Sequence, residues 1–532
     1  MTSSSPPRTG SAAWWALAVL AAVGAAAGGL VVALHYHRLG LTLSHYDARG
    51  HLVVARRIFD SITPGWQQIG AVWLPLPHLL NALPVQVDAW YRTGASGVAI
   101  SVTAYAVAVG CITWMILELT SAPAAALAGA VVFAANPNVL YLQATPMTEP
   151  LLLALTLLAV ALLLRWCDTT GAAATTSVGA AEHPSISRGP SSRIVGCAFA
   201  LACLTRYEAW PVTAAALAAA AWVLWRQGAA PATALRHVAV VAVAPALAVV
   251  GFMVFSRVVV GEWFVSSGFF VPENKALGHP TLAAEEVWYG LHLLSGYLLV
   301  IAAAIGLAAL VLGGMAGVRA SRGLVVVALA ATAAVPWWAF TKGHPFRIRY
   351  MVPLIAIEAV GAGVAAGLLP RAKVVAALLL LAVVGYELRP LDPSAPMVLE
   401  AQWDRPNAPM RATVTACLAA RRPGETIMAS MGSLGHYMQE TSTAGFALRD
   451  FLHEGNGDIW LAAVDTGPRT YAEWVLMEEK AEGGDMLARR AREDAHFLDG
   501  YARVCEGAGL ALYRRTSPAA GFGTIGRHGR PS

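Results

Sequence analysis

The chain has 532 residues, of which 57% are apolar and only 13% are charged, and its mean hydropathy is +0.56. Soluble globular proteins carry about 25% charged residues, so this composition excludes an ordinary soluble enzyme and indicates a polytopic membrane protein. The formal net charge of +5 is small for this length, and no block of Lys or Arg predicts a nucleic-acid partner.

Apolar stretches that are long enough to cross a bilayer recur along the first 390 residues. Because a span needs about 20 apolar residues, we predict about eleven transmembrane helices. They cover residues 12–34, 96–118, 123–141, 149–166, 194–205, 209–225, 238–256, 288–313, 323–340, 350–369 and 373–388. The first stretch is too long for a signal-peptide core and lacks a clear cleavage site, so it is predicted to be an uncleaved span.

The short loops predict the orientation of these spans. With a cytoplasmic N-terminus, the loops "RQGAAPATALRH", "GVRASRG" and "PRAK" lie inside; they contain Arg and Lys but no acid, in agreement with the positive-inside rule. An odd number of spans then places everything after Pro390 outside. We therefore expect an integral protein of a bacterial cell membrane, with a cytoplasmic N-terminus and an extracytoplasmic C-terminal domain.

Residues 391–515 have the pattern of a small α/β domain. The segments "ETIMAS" and "GLALYRR" are typical of strands, and "DMLARRAREDAHFLDG" of an amphipathic helix. Cys417 and Cys505 both lie in this region, and their pairing depends on whether it faces an oxidising compartment. The predicted organisation is an all-α membrane domain (1–390), this α/β domain and a disordered tail (516–532). A flexible cytoplasmic loop is expected at 168–193.

The segment Ser44–Asp60, "SHYDARGHLVVARRIFD", directly follows the first span. Its side chains divide between an apolar side and a basic side at helical spacing: Leu52, Ala55, Ile58 and Phe59 against Arg49, Arg56 and Arg57. This pattern predicts an amphipathic helix that lies on the membrane surface. A second surface helix is predicted in "LPLPHLLNALPVQVDAWYR", so that the two would cover an outward-facing site.

Ionisable residues gather at four of the predicted outer turns. They are Asp47, Arg49 and His78 in the first outer loop, Glu149 at the start of the fourth span, Arg206 and Glu208 in "TRYEAWP", and Lys342, His344, Arg347 and Arg349 in "TKGHPFRIRY". Ionisable groups at membrane depth are costly and usually face a cavity or a partner. Their shared side predicts one polar cavity near the outer interface.

The order of four stretches resembles the GT-C superfamily of polytopic glycosyltransferases, which use polyprenyl-phosphate sugars. The stretches are "HYDARGHLVVARRIFD…WLPLPHLL", "NPNVLYLQATPMTEPLL", "TRYEAWP" and "FRIRYMVPLI". The specific likeness is to the bacterial family related to protein O-mannosyltransferases and aminoarabinose lipid A transferases, and it covers roughly residues 12–390. It implies that a sugar is transferred, with inversion, from a polyprenyl-phosphate donor to a lipid, glycan or protein acceptor on the outer face.

The resemblance also implies roles for single residues. Asp47 matches the acidic residue of the first outer loop, which is the catalytic base or lies near the metal in that family. Arg is the natural phosphate ligand, so Arg206, Arg347 and Arg349 are candidates, followed by Lys342 and His344. The other predicted substrate-binding residues are Arg49, His78, Glu149 and Glu208. Some relatives need a divalent metal; here the motif is Asp-Ala-Arg rather than two closely spaced acids, which leaves a metal in doubt.

Simpler roles stay open for the same residues. Asp47 is a good N-cap for a helix that starts at Ala48, and Glu149 would complement a helix dipole. Arg206 and Glu208 would form a local ion pair, and interfacial arginines such as Arg347 and Arg349 commonly extend to lipid headgroups. His51 and His78 are more often structural than ligands. For the whole protein, the alternative is a transporter or flippase for a lipid-linked or anionic solute; a non-catalytic envelope-assembly protein is a third option.

Overall fold

The computed structural model describes residues 11–176, 189–264, 274–317, 321–369 and 371–516, and the chain divides into two compact units. The membrane unit comprises the chain up to Leu43, Ala71–Leu80 and Gly94–Ala401. The α/β unit comprises Ser44–Gly70, Asn81–Thr93 and the chain from Gln402 onward. Two segments of the predicted first outer loop therefore belong to the same compact unit as the C-terminal region. The tail predicted to be disordered lies, from residue 517 on, outside the described residues.

The α-helices follow one another in this order along the described chain. The first eleven are α1 (Ser11–Arg38), α2 (Tyr46–Arg56), α3 (Leu76–Asn81), α4 (Asp88–Thr93), α5 (Ala95–Thr120), α6 (Pro123–Ala134), α7 (Pro137–Leu142), α8 (Glu149–Thr176), α9 (Ser192–Cys203), α10 (Ala209–Arg226) and α11 (Pro231–Val259). They continue with α12 (Pro280–Ser295), α13 (Tyr297–Ala316), α14 (Gly323–Val327), α15 (Ala334–Thr341), α16 (Leu354–Gly367), α17 (Lys373–Glu387), α18 (Pro396–Glu400), α19 (Ala408–Leu418), α20 (Met431–Thr441), α21 (Asp458–Thr466) and α22 (Met486–Glu493).

Seven helices in the described part of the chain are long and apolar enough to cross a membrane. They are Ala12–Arg38, Ala95–Thr120, Glu149–Thr170, Pro231–Val259, Tyr297–Ala316, Gly323–Thr341 and Ile348–Gly367. The predicted fold class, a polytopic α-helical membrane protein with a small C-terminal sheet domain, is confirmed. All eleven predicted stretches are largely helical, but several are shorter or divided, so the predicted number of spans stays a prediction.

Two of the predicted spans are divided at residues that end helices. The stretch 288–313 is interrupted at Gly296, whose φ of 89° is easy for glycine and strained for other residues. The stretch 123–141 is interrupted at Asn136, which caps α7, with Pro137 at the first helical position. By contrast, α8 is longer than predicted: it ends at Thr176 and so extends into the predicted loop 168–193. Residues 177–188 of that loop lie outside the described residues.

Small residues let three membrane helices pack closely. A Cβ atom added to Gly306 of α13 would collide with the backbone of Gly361 in α16, and one added to Gly129 of α6 would meet the backbone of Gly363 in α16. Close backbone approach at small residues is the usual way in which helices associate within a bilayer, where lipid tails remove the hydrophobic driving force. By contrast, α11, α13 and α17 expose many large apolar side chains, as expected of lipid-facing surfaces.

The α/β unit contains a five-stranded mixed sheet. Its strands are β1 (Ile427–Ala429), β2 (Phe451–Leu452), β3 (Trp474–Glu478), β4 (Tyr501–Gly507) and β5 (Leu510–Arg515). Their order is β2-β1-β3-β5-β4, with β1 parallel to β2 and β3, and β5 antiparallel to β3 and β4. The two predicted strands, now β1 and β5, are confirmed. The predicted amphipathic helix is confirmed only over α22, which Asp485 caps and which ends before Asp494.

A disulfide joins Cys417 of α19 to Cys505 of β4, with the Cα atoms 6.4 Å apart. The two cysteines that the sequence left as an open pair are therefore bonded. The bond attaches α19 to the outer strand of the sheet. Disulfides persist in oxidising compartments.

The first predicted surface helix exists as α2, but it is a buried helix of the α/β unit. Leu52 and Ala55 are fully buried, and Arg56 and Arg57, which were predicted on a polar side, are only 8% and 5% exposed. The amphipathic pattern failed here because α20 packs on α2 and acidic side chains neutralise Arg56 within the unit. The second predicted helix is divided into α3, a 3-10 turn at Pro84–Gln86, and α4, since Pro84 cannot continue a helix from the preceding turn.

Candidate functional site

Arg206 lies in the turn between α9 and α10 and bridges two carboxylates of the membrane unit. Its guanidinium is 2.9 Å from Glu149, the first residue of α8, and 2.8 Å from Glu208. Its Nη1 atom also donates to the hydroxyl of Thr148, and its Nε atom donates to Glu208. The predicted local ion pair of Arg206 and Glu208 is confirmed, and Glu149 and Thr148 complete it as a cluster.

The three side chains of this cluster are buried together. Arg206, Glu149 and Glu208 are 13%, 0% and 4% exposed, and with all three ionised they would sum to one negative charge. Burial alone would lower the pKa of Arg206, but the two carboxylates outweigh it and raise the pKa above its ordinary value. Because all three guanidinium nitrogens have partners within the protein, the geometry favours a role for Arg206 in positioning the start of α8 against the α9–α10 turn.

The turn between α15 and α16 carries the remaining predicted cations of the membrane unit. Lys342 is exposed and its ammonium lies 5.9 Å from the centre of the Trp338 ring, whereas Arg349 is buried and lies 5.3 Å from the centre of the Tyr350 ring. Arg347 is half-buried and precedes a 3-10 turn at Ile348–Met351. The turn is thus one basic segment whose cations sit at different depths.

His344 in the same turn is not a cation at neutral pH. Burial lowers its pKa, and the charge of Arg347 lowers it further. Its ring Nε2 lies 3.4 Å from the hydroxyl of Tyr350, and its backbone carbonyl accepts from the amide of Asn274. His344 therefore offers hydrogen bonds rather than charge. Tyr350 and Asn274 were not among the predicted residues, because a single Tyr or Asn at the end of a span carries no distinctive signal.

Asp47 lies in the first turn of α2 and belongs to the α/β unit. It does not cap the helix, which begins at Tyr46 rather than at Ala48: the cap is His45, whose Nδ1 accepts from the backbone N–H of Asp47 at 3.1 Å. Asp47 itself is only 8% exposed. The positive end of a helix favours the ionised form of a carboxyl group, which is the form that a base requires.

Arg49 of α2 forms an ion pair with Glu440 of α20 at 2.7 Å, within the α/β unit. Glu440 also pairs with Arg411 at 3.0 Å, and Arg411 pairs with Asp404 at 2.8 Å. No sequence pattern predicts this network, since Arg49 and Glu440 are 391 positions apart. The network ties α2 to α19 and α20, while substrate binding by Arg49 stays a prediction.

His78 is buried in the membrane unit, with its Nδ1 3.1 Å from the carbonyl of Leu74 and its ring stacked on Trp73 at 5.9 Å. These contacts agree with the structural role considered for it.

The structure thus joins Glu149, Arg206 and Glu208 into one cluster and places the four basic residues 342–349 in one turn. In the described ranges, no group of three or more His, Cys, Asp or Glu side chains is arranged to hold a metal ion.

These features define a polytopic membrane protein that carries charged groups at its helix ends. One of its long apolar helices starts at an ionic cluster, and another follows a basic turn. Two solved structures with a similar fold are those of ArnT, an aminoarabinose lipid A transferase, from Cupriavidus metallidurans. The apo structure has a TM-score of 0.53 and 15% identity, and the match covers 93% of this chain and 98% of ArnT. The structure bound to undecaprenyl phosphate has a TM-score of 0.52 and 14% identity, over 91% and 97% of the two chains.

The chain therefore has the GT-C fold, as its resemblance implied. The likeness extends over both units rather than the membrane helices alone, since it covers more than nine-tenths of each chain. No protein-family model and no curated protein matches the sequence.

Proposed function

We propose that this protein is a GT-C-type glycosyltransferase that takes a sugar from a polyprenyl-phosphate donor. The observation that carries the proposal is the fold likeness to ArnT over nearly the whole chain, including an ArnT structure that holds undecaprenyl phosphate. The chain would work in a bacterial cell membrane, with the α/β unit and the reaction on the outer face. The Cys417–Cys505 disulfide supports that side for the α/β unit, because disulfides persist in oxidising compartments.

The phosphate of the donor is assigned to the basic turn between α15 and α16. Arg349 and Arg347 would bind phosphate oxygens through their planar guanidinium groups, and Lys342 would add a point charge nearer the solvent. His344 would contribute a hydrogen bond, since its pKa is lowered and the ring is neutral. Arg206 is assigned a positioning role instead, because Glu149 and Glu208 already neutralise it.

Asp47 is proposed as the general base. Its carboxylate would take the proton of the acceptor hydroxyl while that oxygen forms a bond to the anomeric carbon. The bond between the anomeric carbon and the phosphate oxygen would break at the opposite face, which inverts the configuration and releases polyprenyl phosphate. No general acid is required, because the phosphate is already a good leaving group. A positioned base of this kind contributes about 10²- to 10⁴-fold to a rate.

The base assignment is tested with Asp47→Asn in membranes supplied with radiolabelled polyprenyl-phosphate sugars of several kinds. Transfer to endogenous acceptors is expected to fall by about 10²- to 10⁴-fold, with little change in donor binding. Asp499→Asn, an exposed carboxylate of the same unit, is the matched control. Transfer by Asp47→Asn at the wild-type rate would show that Asp47 is not the base. If the wild type consumed no donor but moved the lipid across the bilayer, the transporter alternative would replace the proposal.

The phosphate assignment is tested separately with Arg349→Gln, in comparison with Arg371→Gln, a surface arginine of the membrane unit. Losing a charge-assisted hydrogen bond to phosphate is expected to raise the KM for the donor about tenfold or more. The thermal midpoint of the variant would show whether it still folds. An unchanged KM for donor in a folded Arg349→Gln variant would contradict the assignment.

A further inference from the structure

A polar cavity of about 370 Å³ lies within the α/β unit, and none of the predicted site residues lines it. Its walls come from the end of α2 and the turn that follows it, from the segment around α4, and from residues 442–449 after α20. Small-molecule sites in proteins occupy roughly 300–1,000 Å³. The cavity is therefore large enough for a small polar ligand.

Five charged side chains form a line of alternating sign along this cavity. Arg449 pairs with Asp60 at 3.0 Å, and Asp60 pairs with Arg56 at 3.0 Å. Arg56 in turn pairs with Asp88 at 2.6 Å, and Asp88 pairs with Arg92 at 3.5 Å. Three positive and two negative charges leave a net charge of only +1. The wall is thus densely charged but nearly neutral.

The inner members of the line are held in place by the surrounding protein. The Arg56 guanidinium lies 4.5 Å from the centre of the Tyr91 ring, and Asp60 also accepts the backbone N–H groups of Leu448 and Arg449 at 3.3 and 3.4 Å. Both side chains are at least nine-tenths buried. A ligand would meet donors and acceptors that are already oriented, so little entropy is lost in ordering them.

The outer members of the line face the solvent. The side chains of Asp88 and Arg449 are 56% and 68% exposed, and the aromatic ring of Phe59 beside them is 55% exposed. The hydrogen bond from Arg56 lowers the pKa of Asp88, so its carboxylate accepts hydrogen bonds at neutral pH. The cavity therefore presents a carboxylate acceptor, guanidinium donors and an aromatic face together.

This combination selects among ligand classes. A phosphate dianion would be repelled by the carboxylate of Asp88. The guanidinium of Arg56 would offer it little attraction, because two acids already neutralise that group. An apolar ligand would leave charged groups without water. Adjacent hydroxyl groups both donate and accept, so they match alternating carboxylates and guanidinium groups, and the C–H face of a sugar ring packs on an aromatic side chain.

We propose that this cavity binds a neutral saccharide and holds part of the acceptor glycan. Its assignment to the acceptor rests on the proposed transferase function, whereas saccharide binding does not.

The test measures saccharide binding directly, without any transfer reaction. The full chain in lipid nanodiscs is applied to an array of neutral hexose and pentose oligosaccharides, and the best array member is then titrated against each variant. Asp88→Asn and Phe59→Ala are each expected to weaken its binding about tenfold or more, because each removes one exposed contact of the cavity. Asp499→Asn and Leu461→Ala, an exposed acid and an exposed apolar residue elsewhere in the unit, are matched controls expected to bind like the wild type.

The outcomes separate this inference from the proposed function. Binding that depends on Asp88 and Phe59 and persists in Asp47→Asn supports the cavity as a saccharide site, even if no transfer were ever detected. Wild-type protein that retains no array member would overturn the inference. Wild-type affinity in both Asp88→Asn and Phe59→Ala would overturn it as well. Displacement of the saccharide by millimolar inorganic phosphate or by phosphatidylglycerol would also overturn it, since it would identify an anion site.

Discussion

Replacing Arg206 with Met should destabilise the membrane unit far more than replacing either of its acidic partners. The variant would leave Glu149 and Glu208, which are 0% and 4% exposed, facing each other without a cation. Removing one partner of a buried ion pair costs about 3–5 kcal/mol, because a buried charge is left uncompensated. We therefore expect a loss of that size for Arg206→Met.

The carboxylate variants supply the internal comparison. Glu149→Gln keeps the contact of Arg206 with Glu208 and brings the cluster from one net negative charge to zero, so we expect a loss below about 1 kcal/mol. Combining Arg206→Met with Glu149→Gln and Glu208→Gln should recover most of the stability lost in Arg206→Met alone, because no uncompensated charge is left.

The assay is the thermal midpoint of the full chain in detergent, followed by tryptophan fluorescence, together with donor KM for each variant that folds. A lower midpoint in Arg206→Met that recovers in the triple variant would support the positioning role. The reasoning would be refuted by an Arg206→Met variant that keeps the wild-type midpoint but has a donor KM raised tenfold or more. That result would support the phosphate-binding role that was predicted for Arg206 from the sequence.

Two further predictions concern the α/β unit. Reduction of the Cys417–Cys505 disulfide, or its replacement by two serines, is expected to lower the free energy of unfolding by about 4.6 kcal/mol, because the bond closes a segment of 88 residues in the unfolded chain. Denaturant unfolding with and without reductant measures this loss, and reductant should not affect the serine variant. Burial of His453, with the nearby charge of Arg57, lowers its pKa to about 3. In the unfolded chain this histidine has a pKa of about 6.5, so the unfolded state binds a proton at a higher pH than the folded state does. The stability that the buried neutral ring contributes is therefore complete above about pH 6.5 and is lost as the pH falls from about 6.5 to about 3. His453→Gln should flatten the pH dependence of the unfolding midpoint over that window, and the exposed His496→Gln should not; equal slopes in all three proteins would contradict the assignment.

Much of the fold was accessible from hydropathy because a bilayer imposes a simple requirement on sequence. A backbone that crosses hydrocarbon must satisfy its own hydrogen bonds, so helical spans appear as long apolar stretches. All eleven predicted stretches contain helix, and β1 and β5 were found from strand patterns. The divisions at Gly296 and Asn136 were missed, since one glycine or one asparagine in an apolar stretch is a weak local signal.

The first outer loop shows where sequence reasoning failed. The alternating apolar and basic residues of α2 fit a helix at a membrane surface, and they fit equally a helix buried against polar partners. Asp60 and Asp88 neutralise Arg56, and Glu440 pairs with Arg49 from 391 positions away. A periodic pattern reports which residues share a face, but not what covers that face.

The class of this protein, its long helices and its small C-terminal sheet were predictable from the sequence, as was the GT-C fold through a resemblance. These features depend on local composition and on periods of a few residues. Three contacts became known only from the folded chain: Glu149 joins the Arg206–Glu208 pair, Cys417 bonds to Cys505, and Arg56 lines a polar cavity. Such pairings depend on which distant segments approach within a few ångströms. In a low-dielectric interior, an opposite charge a few ångströms away interacts strongly with a charged side chain. The role of that side chain can then differ from the one that its sequence neighbours alone suggest.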